Sequence, residues 1–388
     1  MFETPMFRKC PSLVVGYFRY NRNAKSLSLL RCSQSCSSLK PKQTSNLGAC
    51  VWCSNTRRSH MAMARQVNVA VVDSLYINHL NRYYESIFKK STPNVEVNFR
   101  TIPENGDMKE GFSDAEVILM SPHGLKISSE ISKTTKWIQW TWAGVEPLMN
   151  EKIRRDLEGC IVTRAAGIFG SQMAEYAIGA VIAMERSLPT CYQQQIEKKW
   201  ERPSGYRNLS TLSIGILGLG DIGLHIAKVC SQLGMTVYGL KKTATQCEHV
   251  EKVFTSNKLA ELIKLSDYIC NVLPSTPETK EIITEQMLES CSHRKSRFIN
   301  IGRGDVVNEE TLIKALKNGW LSGAFLDVFA EEPLKKSSPL WSIKNVVVTP
   351  HIAGRTYHES TAKLFFHNLE KYLKNEKLDY IVDFDAGY

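Results

Sequence analysis

The chain has 388 residues, of which 43% are hydrophobic and 23% charged, and its formal net charge is +10. That length accommodates two ordinary domains, and no run of about 18 apolar residues is present to span a membrane. The charge would suggest a nucleic-acid partner if it covered the chain. It does not: residues 1–66 hold eleven Lys and Arg against one acid, Glu3, and the remaining 38 basic and 38 acidic residues balance. The body of the protein is therefore expected to bind neither nucleic acid nor membrane.

The basic, Ser-rich, acid-poor segment 1–65 has the composition of a mitochondrial transit peptide, so a mitochondrial location is expected. The alternatives are a disordered extension without an address, or translation from Met61 or Met63, which would leave a cytoplasmic protein. Cys32/Cys36 and Cys50/Cys53 have spacings that zinc ligands use, but the apolar patterning of a small zinc fold is missing, and no metal is expected. Cys160, Cys191, Cys230, Cys247, Cys270 and Cys291 are scattered singly and read as reduced, mostly buried thiols.

Order is predicted from Gln66. Val67–Asp73 reads as a strand and Tyr76–Lys90 as a helix. Val95–Ile102, Ala115–Met120, Trp137–Trp142 and Cys160–Thr163 read as further strands. Helical spacing runs over Gln172–Leu188 and Cys191–Trp200, and a break at Pro203 and Gly205 follows. Strands are then predicted at Leu212–Leu217, Thr236–Leu240, Tyr268–Leu273, Phe298–Ile301, Ala324–Val328 and Val346–Thr349. Helices lie between them at Ile222–Leu233, Lys258–Leu265, Glu285–Ser290 and Glu309–Asn318, and a last helix covers Arg355–Leu373. Short Val/Ile/Leu strands alternating with helices predict an α/β protein of two doubly wound domains. A Rossmann-type cofactor domain is placed at 171–353. A flavodoxin-like substrate domain, discontinuous because the last helix returns to it, is placed at 66–170 and 354–388.

Ile214-Gly-Ile-Leu-Gly-Leu-Gly-Asp-Ile-Gly223 carries G-x-G-x-x-G between a predicted strand and helix, the context a dinucleotide site requires. Gly218 allows the tight turn, Gly220 the approach of the diphosphate, and Gly223 close packing of helix on strand. Asp221 and Ile222 open the helix whose N-terminus faces the anion. One strand later, where an NAD site usually has an acid for the ribose 2′-hydroxyl, the sequence has Lys241, Lys242 and Thr243. Two ammonium groups attract a 2′-phosphate, so NADP(H) is expected to be preferred over NAD(H).

Three side chains follow predicted strands: Arg303, Glu332 and His351. Each taken alone has a structural reading, but together they suit reduction of a 2-oxo acid. A guanidinium can grip a carboxylate through two bonds and polarise the carbonyl. A histidine can protonate the developing alkoxide, and a neighbouring carboxylate orients its ring.

These motifs resemble the D-isomer-specific 2-hydroxyacid dehydrogenases, over nearly everything after Gln66. The Arg303-Gly turn, Glu332 before Pro333, and His351 in Thr349-Pro-His-Ile-Ala353 have that family's spacing. Phe329-Ala-Glu-Glu-Pro-Leu, Pro339-Leu-Trp341 and the terminal Val382-Asp…Ala-Gly-Tyr388 are similar to its glyoxylate/hydroxypyruvate reductase A branch, which generally favours NADPH. The resemblance implies that Arg303 binds substrate, Glu332 supports the acid/base and His351 is the acid/base. It implies cofactor contacts at Pro274 and Thr279, at Asp327 with the nicotinamide amide, and at Ile301, Ala353 and Gly354. It implies that backbone N–H groups of Ala143, Gly144 and Val145 hold the substrate carboxylate, that glyoxylate or hydroxypyruvate is the substrate, and that a homodimer forms through helices near Met173–Met184. Thr163-Arg-Ala-Ala-Gly167 departs from the Asn-Thr-Pro usual in the family. A rival reading is a dinucleotide-sensing transcriptional corepressor of the same fold, against which the neutral body argues.

Overall fold

The computed structural model describes residues 64–102, 112–131 and 133–388. Residues 1–63 of the segment read as a targeting leader, with its five cysteines, lie outside them. The chain is α/β, with its strands in two parallel sheets.

The first sheet contains β1 (Arg65–Val71), β2 (Val95–Thr101), β3 (Val117–Met120), β4 (Trp137–Trp140) and β5 (Ile161–Thr163) in the order β2-β1-β3-β4-β5. Strands β3 and β4 are buried on both faces; β3 is a continuous apolar run, and in β4 the one polar residue, Gln139, accepts from the Thr163 hydroxyl at 3.0 Å. The helix expected over Tyr76–Lys90 is subdivided: a 3-10 turn (Ser74–Tyr76) leads into α1 (Ile77–Tyr83), which widens into a π-helical turn (Tyr84–Phe88). The wider turn puts Tyr83, Tyr84 and Phe88 on one side, where their rings lie 5.0, 6.5 and 4.8 Å from that of Phe366.

The helices that follow are α2 (Glu151–Asp156), α3 (Gly170–Glu185), α4 (Leu188–Ile196), α5 (Asp221–Gln232), α6 (Leu259–Leu265), α7 (Glu285–Glu289), α8 (Glu309–Lys317) and α9 (His358–Leu373). Helix α4 begins three residues before the predicted position because Pro189 fits a first helical turn. Helix α9 buries Ala362, Phe365, Phe366 and Leu369 with Val67, Val69 and Trp137 of the first sheet. Trp137 and Phe365 stack at 5.1 Å.

The second sheet contains β6 (Ser213–Leu217), β7 (Thr236–Leu240), β8 (Lys252–Phe254), β9 (Tyr268–Asn271), β10 (Arg297–Asn300), β11 (Gly323–Leu326) and β12 (Val346–Val348). Its order is β12-β11-β10-β9-β6-β7-β8, all parallel. Strand β8 was not foreseen: it is a three-residue edge strand, too short to show a period. The strand order reverses at β6, from which β7 and β8 are added on one side and β9 to β12 on the other, and this opens a crevice at the carboxyl end of β6. Helix α3 packs Met173, Ala177 and Val181 into the core of this sheet with Ile214, Ile226 and Cys270.

The six described cysteines are free thiols: Cys230, Cys270 and Cys291 are buried, the other three half-buried. Burial pushes Cys230 up to about 12 and Cys291 up to about 11, so neither supplies a thiolate near neutral pH. Among the described residues, no helix is long and apolar enough to cross a membrane, and no group of three His, Cys, Asp or Glu is placed to hold a metal.

Candidate active site

The glycine loop lies at the carboxyl end of β6. Gly218 has φ +109°, a left-handed conformation that favours glycine. A Cβ at Gly223 would stand 1.9 Å from the Gly218 carbonyl oxygen, so α5 starts hard against the turn. Around Gly220, the N-cap of α5, a Cβ would meet nothing within 4 Å. The first amides of α5, from Asp221 and Ile222 onward, thus adjoin open space at a helix N-terminus, where an anionic group fits. Lys241, half-buried, follows β7 directly, with Lys242 and Thr243 exposed beside it. No carboxylate pairs with either ammonium within 4 Å among the described residues. On the other side of the crevice the loop after β9 is closed by Thr279, whose hydroxyl donates to the Pro274 carbonyl at 2.7 Å and accepts from the Thr276 N–H at 2.8 Å. These residues fit an anionic dinucleotide, and the lysines fit an additional phosphate.

Arg303, Glu332 and His351 lie on the loops after β10, β11 and β12, three adjacent strands. Buried asparagines at the ends of β9 and β10 build the first loop. Asn271 Nδ2 donates to Asn300 Oδ1 at 2.8 Å, and Asn300 Nδ2 donates to the Arg303 carbonyl at 3.1 Å. His351 Nδ1 lies 2.8 Å from Glu332 Oε2, while Glu332 Oε1 accepts from the Phe329 N–H at 3.0 Å. The carboxylate is thereby fixed from behind, and the imidazole Nε2 is left for a ligand in a side chain that is 53% exposed.

His351 has φ +52°, strained for a non-glycine residue, and Asp327 supports it. The buried Asp327 carboxylate accepts from the Ile352 and Ala353 N–H groups, each at 2.8 Å, and from the Thr349 hydroxyl at 2.5 Å. Tyr176, on α3, bonds Thr349 in turn, and burial pushes its hydroxyl well above the usual tyrosine range. Asp327 therefore holds the histidine loop with both oxygens. Ala353 and Ile301 are buried, and Gly354 packs on Met173.

The first sheet contributes the loop after β4. Trp140 Nε1 donates to the Gly144 carbonyl at 2.8 Å. The amide N–H groups of Ala143, Gly144 and Val145 have no partner among the described residues, which suits a carboxylate ligand. Arg303 meets this loop: its Nε donates to Glu146 Oε1 at 2.6 Å and its Nη1 to the Gly302 carbonyl at 2.8 Å. Glu146 was not legible as a site residue, because an acid before Pro147 carries no motif. Arg164, the residue that departs from the family pattern after β5, is half-buried beside the same cluster. Burial holds its guanidinium below the usual range, opposed by Asp221 and Glu146.

Residues 178–353 match the family described as D-isomer specific 2-hydroxyacid dehydrogenase, NAD binding domain. The chain is 31% identical over 219 residues to glyoxylate/hydroxypyruvate reductase A of Photorhabdus laumondii subsp. laumondii, covering 56% of this chain and 69% of that protein. Among solved structures, a D-isomer specific 2-hydroxyacid dehydrogenase family protein from Aeromonas salmonicida subsp. salmonicida shares 29% identity at a TM-score of 0.71, covering 83% of this chain and 100% of that one. A D-isomer specific 2-hydroxyacid dehydrogenase from Xanthobacter autotrophicus, solved in complex with NADPH and MES, shares 28% identity at a TM-score of 0.68, covering 83% and 99%.

Proposed function

The chain belongs to the D-isomer specific 2-hydroxyacid dehydrogenase family, and on that premise we propose that it reduces small 2-oxo acids with NADPH, glyoxylate and hydroxypyruvate foremost, to glycolate and D-glycerate. The observation that carries this reading is the 2.8 Å contact of His351 Nδ1 with Glu332, on the loops beside the one that bears Arg303. A reduced nicotinamide dinucleotide, its diphosphate held at the glycine loop, would supply the hydride for the carbonyl carbon. The chain's own residues do the rest. The amides at 143–145 and the outer N–H groups of Arg303 hold the substrate carboxylate and polarise the carbonyl. His351 Nε2 delivers the proton to the oxygen that becomes the hydroxyl, and Glu332 stabilises the imidazolium before transfer. The reductase A relative supports the substrate, and Lys241 and Lys242 support the cofactor. The partner is a second copy of the chain; α3, expected at the contact, packs Met173, Ala177 and Val181 into the core of its own sheet, and the exposed side chains Leu188, Tyr192, Ile196 and Trp200 on and just after α4 support the contact instead.

The test is NADPH oxidation in the presence of glyoxylate or hydroxypyruvate, wild type against His351→Ala. Turnover by the wild type and a loss of about 10²- to 10⁴-fold in kcat for the variant, with NADPH binding retained, are expected. Absence of wild-type turnover with every 2-oxo acid, or full activity of the variant, rules the reading out.

A further inference from the structure

The site contains a carboxylate that this chemistry does not use. Glu146 opens a 3-10 turn (Glu146–Met149) on the first-sheet side, and Arg303 comes from the second sheet. Their side chains are 38% and 30% exposed, so the pair is partly withdrawn from water. Gly144 lies against both: a Cβ there would stand 2.3 Å from Arg303 Nη2 and 2.5 Å from Glu146 Oε2. With Nε on Glu146 and Nη1 on the Gly302 carbonyl, the guanidinium plane is fixed and only its outer N–H groups remain for a ligand.

We propose that Glu146 is a specificity-determining residue, which orients and neutralises Arg303 so that the pocket accepts 2-oxo acids with one carboxylate and rejects those with two. This rests on the reductase reading above. A bare guanidinium beside three free amides would welcome a second negative charge. Paired with Glu146 it supplies directional hydrogen bonds but little net charge. One carboxylate still binds, through short contacts to the amides and the remaining guanidinium N–H groups. A second carboxylate on a four-carbon acid stays within several ångströms of Glu146 in a cleft that screens charge poorly, and is repelled.

The experiment compares wild type, Glu146→Gln, Glu146→Ala and Glu146→Asp. Kinetics with glyoxylate and oxaloacetate at saturating NADPH are paired with calorimetric binding of glycolate and malate to the NADPH-loaded protein, a complex that cannot react. In Glu146→Gln and Glu146→Ala the oxaloacetate-to-glyoxylate ratio of kcat/KM should rise about tenfold. The rise should come through KM, and the malate-to-glycolate affinity ratio should follow it. Glu146→Asp, which keeps the charge, should stay near the wild-type ratios. Unchanged or falling ratios in the two neutral variants, or an equal shift in Glu146→Asp, overturn the proposal. A wild type that reduces neither acid defeats the reductase reading, and the affinity ratios then decide the role of Glu146 by themselves.

Discussion

At the residue scale, each side chain of the candidate site is held by a second group. Glu332 is held by the Phe329 amide, the histidine loop by Asp327, and the Arg303 turn by Asn271 and Asn300. Such support is what keeps a reacting geometry within a fraction of an ångström. Lys241 and Lys242 are set at the end of β7 by the strand, which makes their contribution testable by charge reversal. Changing both to Glu should lower the NADPH-to-NADH ratio of kcat/KM by about tenfold or more, because attraction to a 2′-phosphate becomes repulsion. Steady-state kinetics with the two cofactors measures this, and an unchanged ratio removes these lysines from the 2′-phosphate. The lysines were legible because a strand end is a fixed place in a doubly wound fold. Glu146 was not, because nothing local in Val145-Glu-Pro says that Arg303 lies opposite.

At the element scale, the opposite edge of the second sheet is bound by a charged cluster. Glu185, at the end of α3, is buried and accepts from Arg207 Nη2 at 2.7 Å, from the Arg207 N–H at 2.9 Å and from the Tyr268 hydroxyl at 2.7 Å, with Arg297 also paired to it. Asp267 takes the other end of Arg207 at 2.9 Å. The cluster ties α3 and the segment before β6 to the starts of β9 and β10, and it leaves the carboxyl edge to the site. Burial pushes the Glu185 carboxyl up, but the bonds from Arg207 and Tyr268 outweigh it and hold the group below the usual carboxylate range. Its stabilisation is therefore complete above the unfolded carboxyl pKa and is lost as pH falls through the lower folded value. Glu185→Gln should destabilise the protein by about 2 kcal/mol at pH 7 in urea unfolding, since it leaves Arg297 without its carboxylate and Arg207 with Asp267 alone. The gap between variant and wild type should narrow towards pH 3; a gap that is constant with pH would assign the loss to packing instead.

At the scale of the whole molecule, the two sheets meet where the candidate site lies. Arg303 reaches Glu146 across the boundary, and Gln172 bonds the backbone of Arg355 on the way to α9, donating to its carbonyl at 3.1 Å and accepting from its N–H at 2.9 Å. Among the described residues large apolar groups are exposed, Trp200 at 97%. If a second copy covers them, sedimentation equilibrium should give twice the chain mass, and Tyr192→Asp with Ile196→Asp should shift the protein to monomer at micromolar concentration. A wild type that sediments as a monomer would exclude this interface.

The amino-acid sequence alone determined the order of the strands and helices other than β8 and α2, the glycine turn, and the residues after β10, β11 and β12. These follow from local periodicity and from motifs whose members are close in the chain. It determined the fold class too, because alternating short apolar strands and helices have few ways to pack. Tertiary structure decided the rest. The π-helical turn after α1 exists because Phe366, about 280 positions later, supplies the ring on which Tyr83, Tyr84 and Phe88 pack. Glu146 and Arg303, separated by 157 positions, became partners only when two sheets were placed side by side. Contacts of that separation leave no periodic trace in the chain, since they depend on how whole elements dock, and no window of sequence contains both ends.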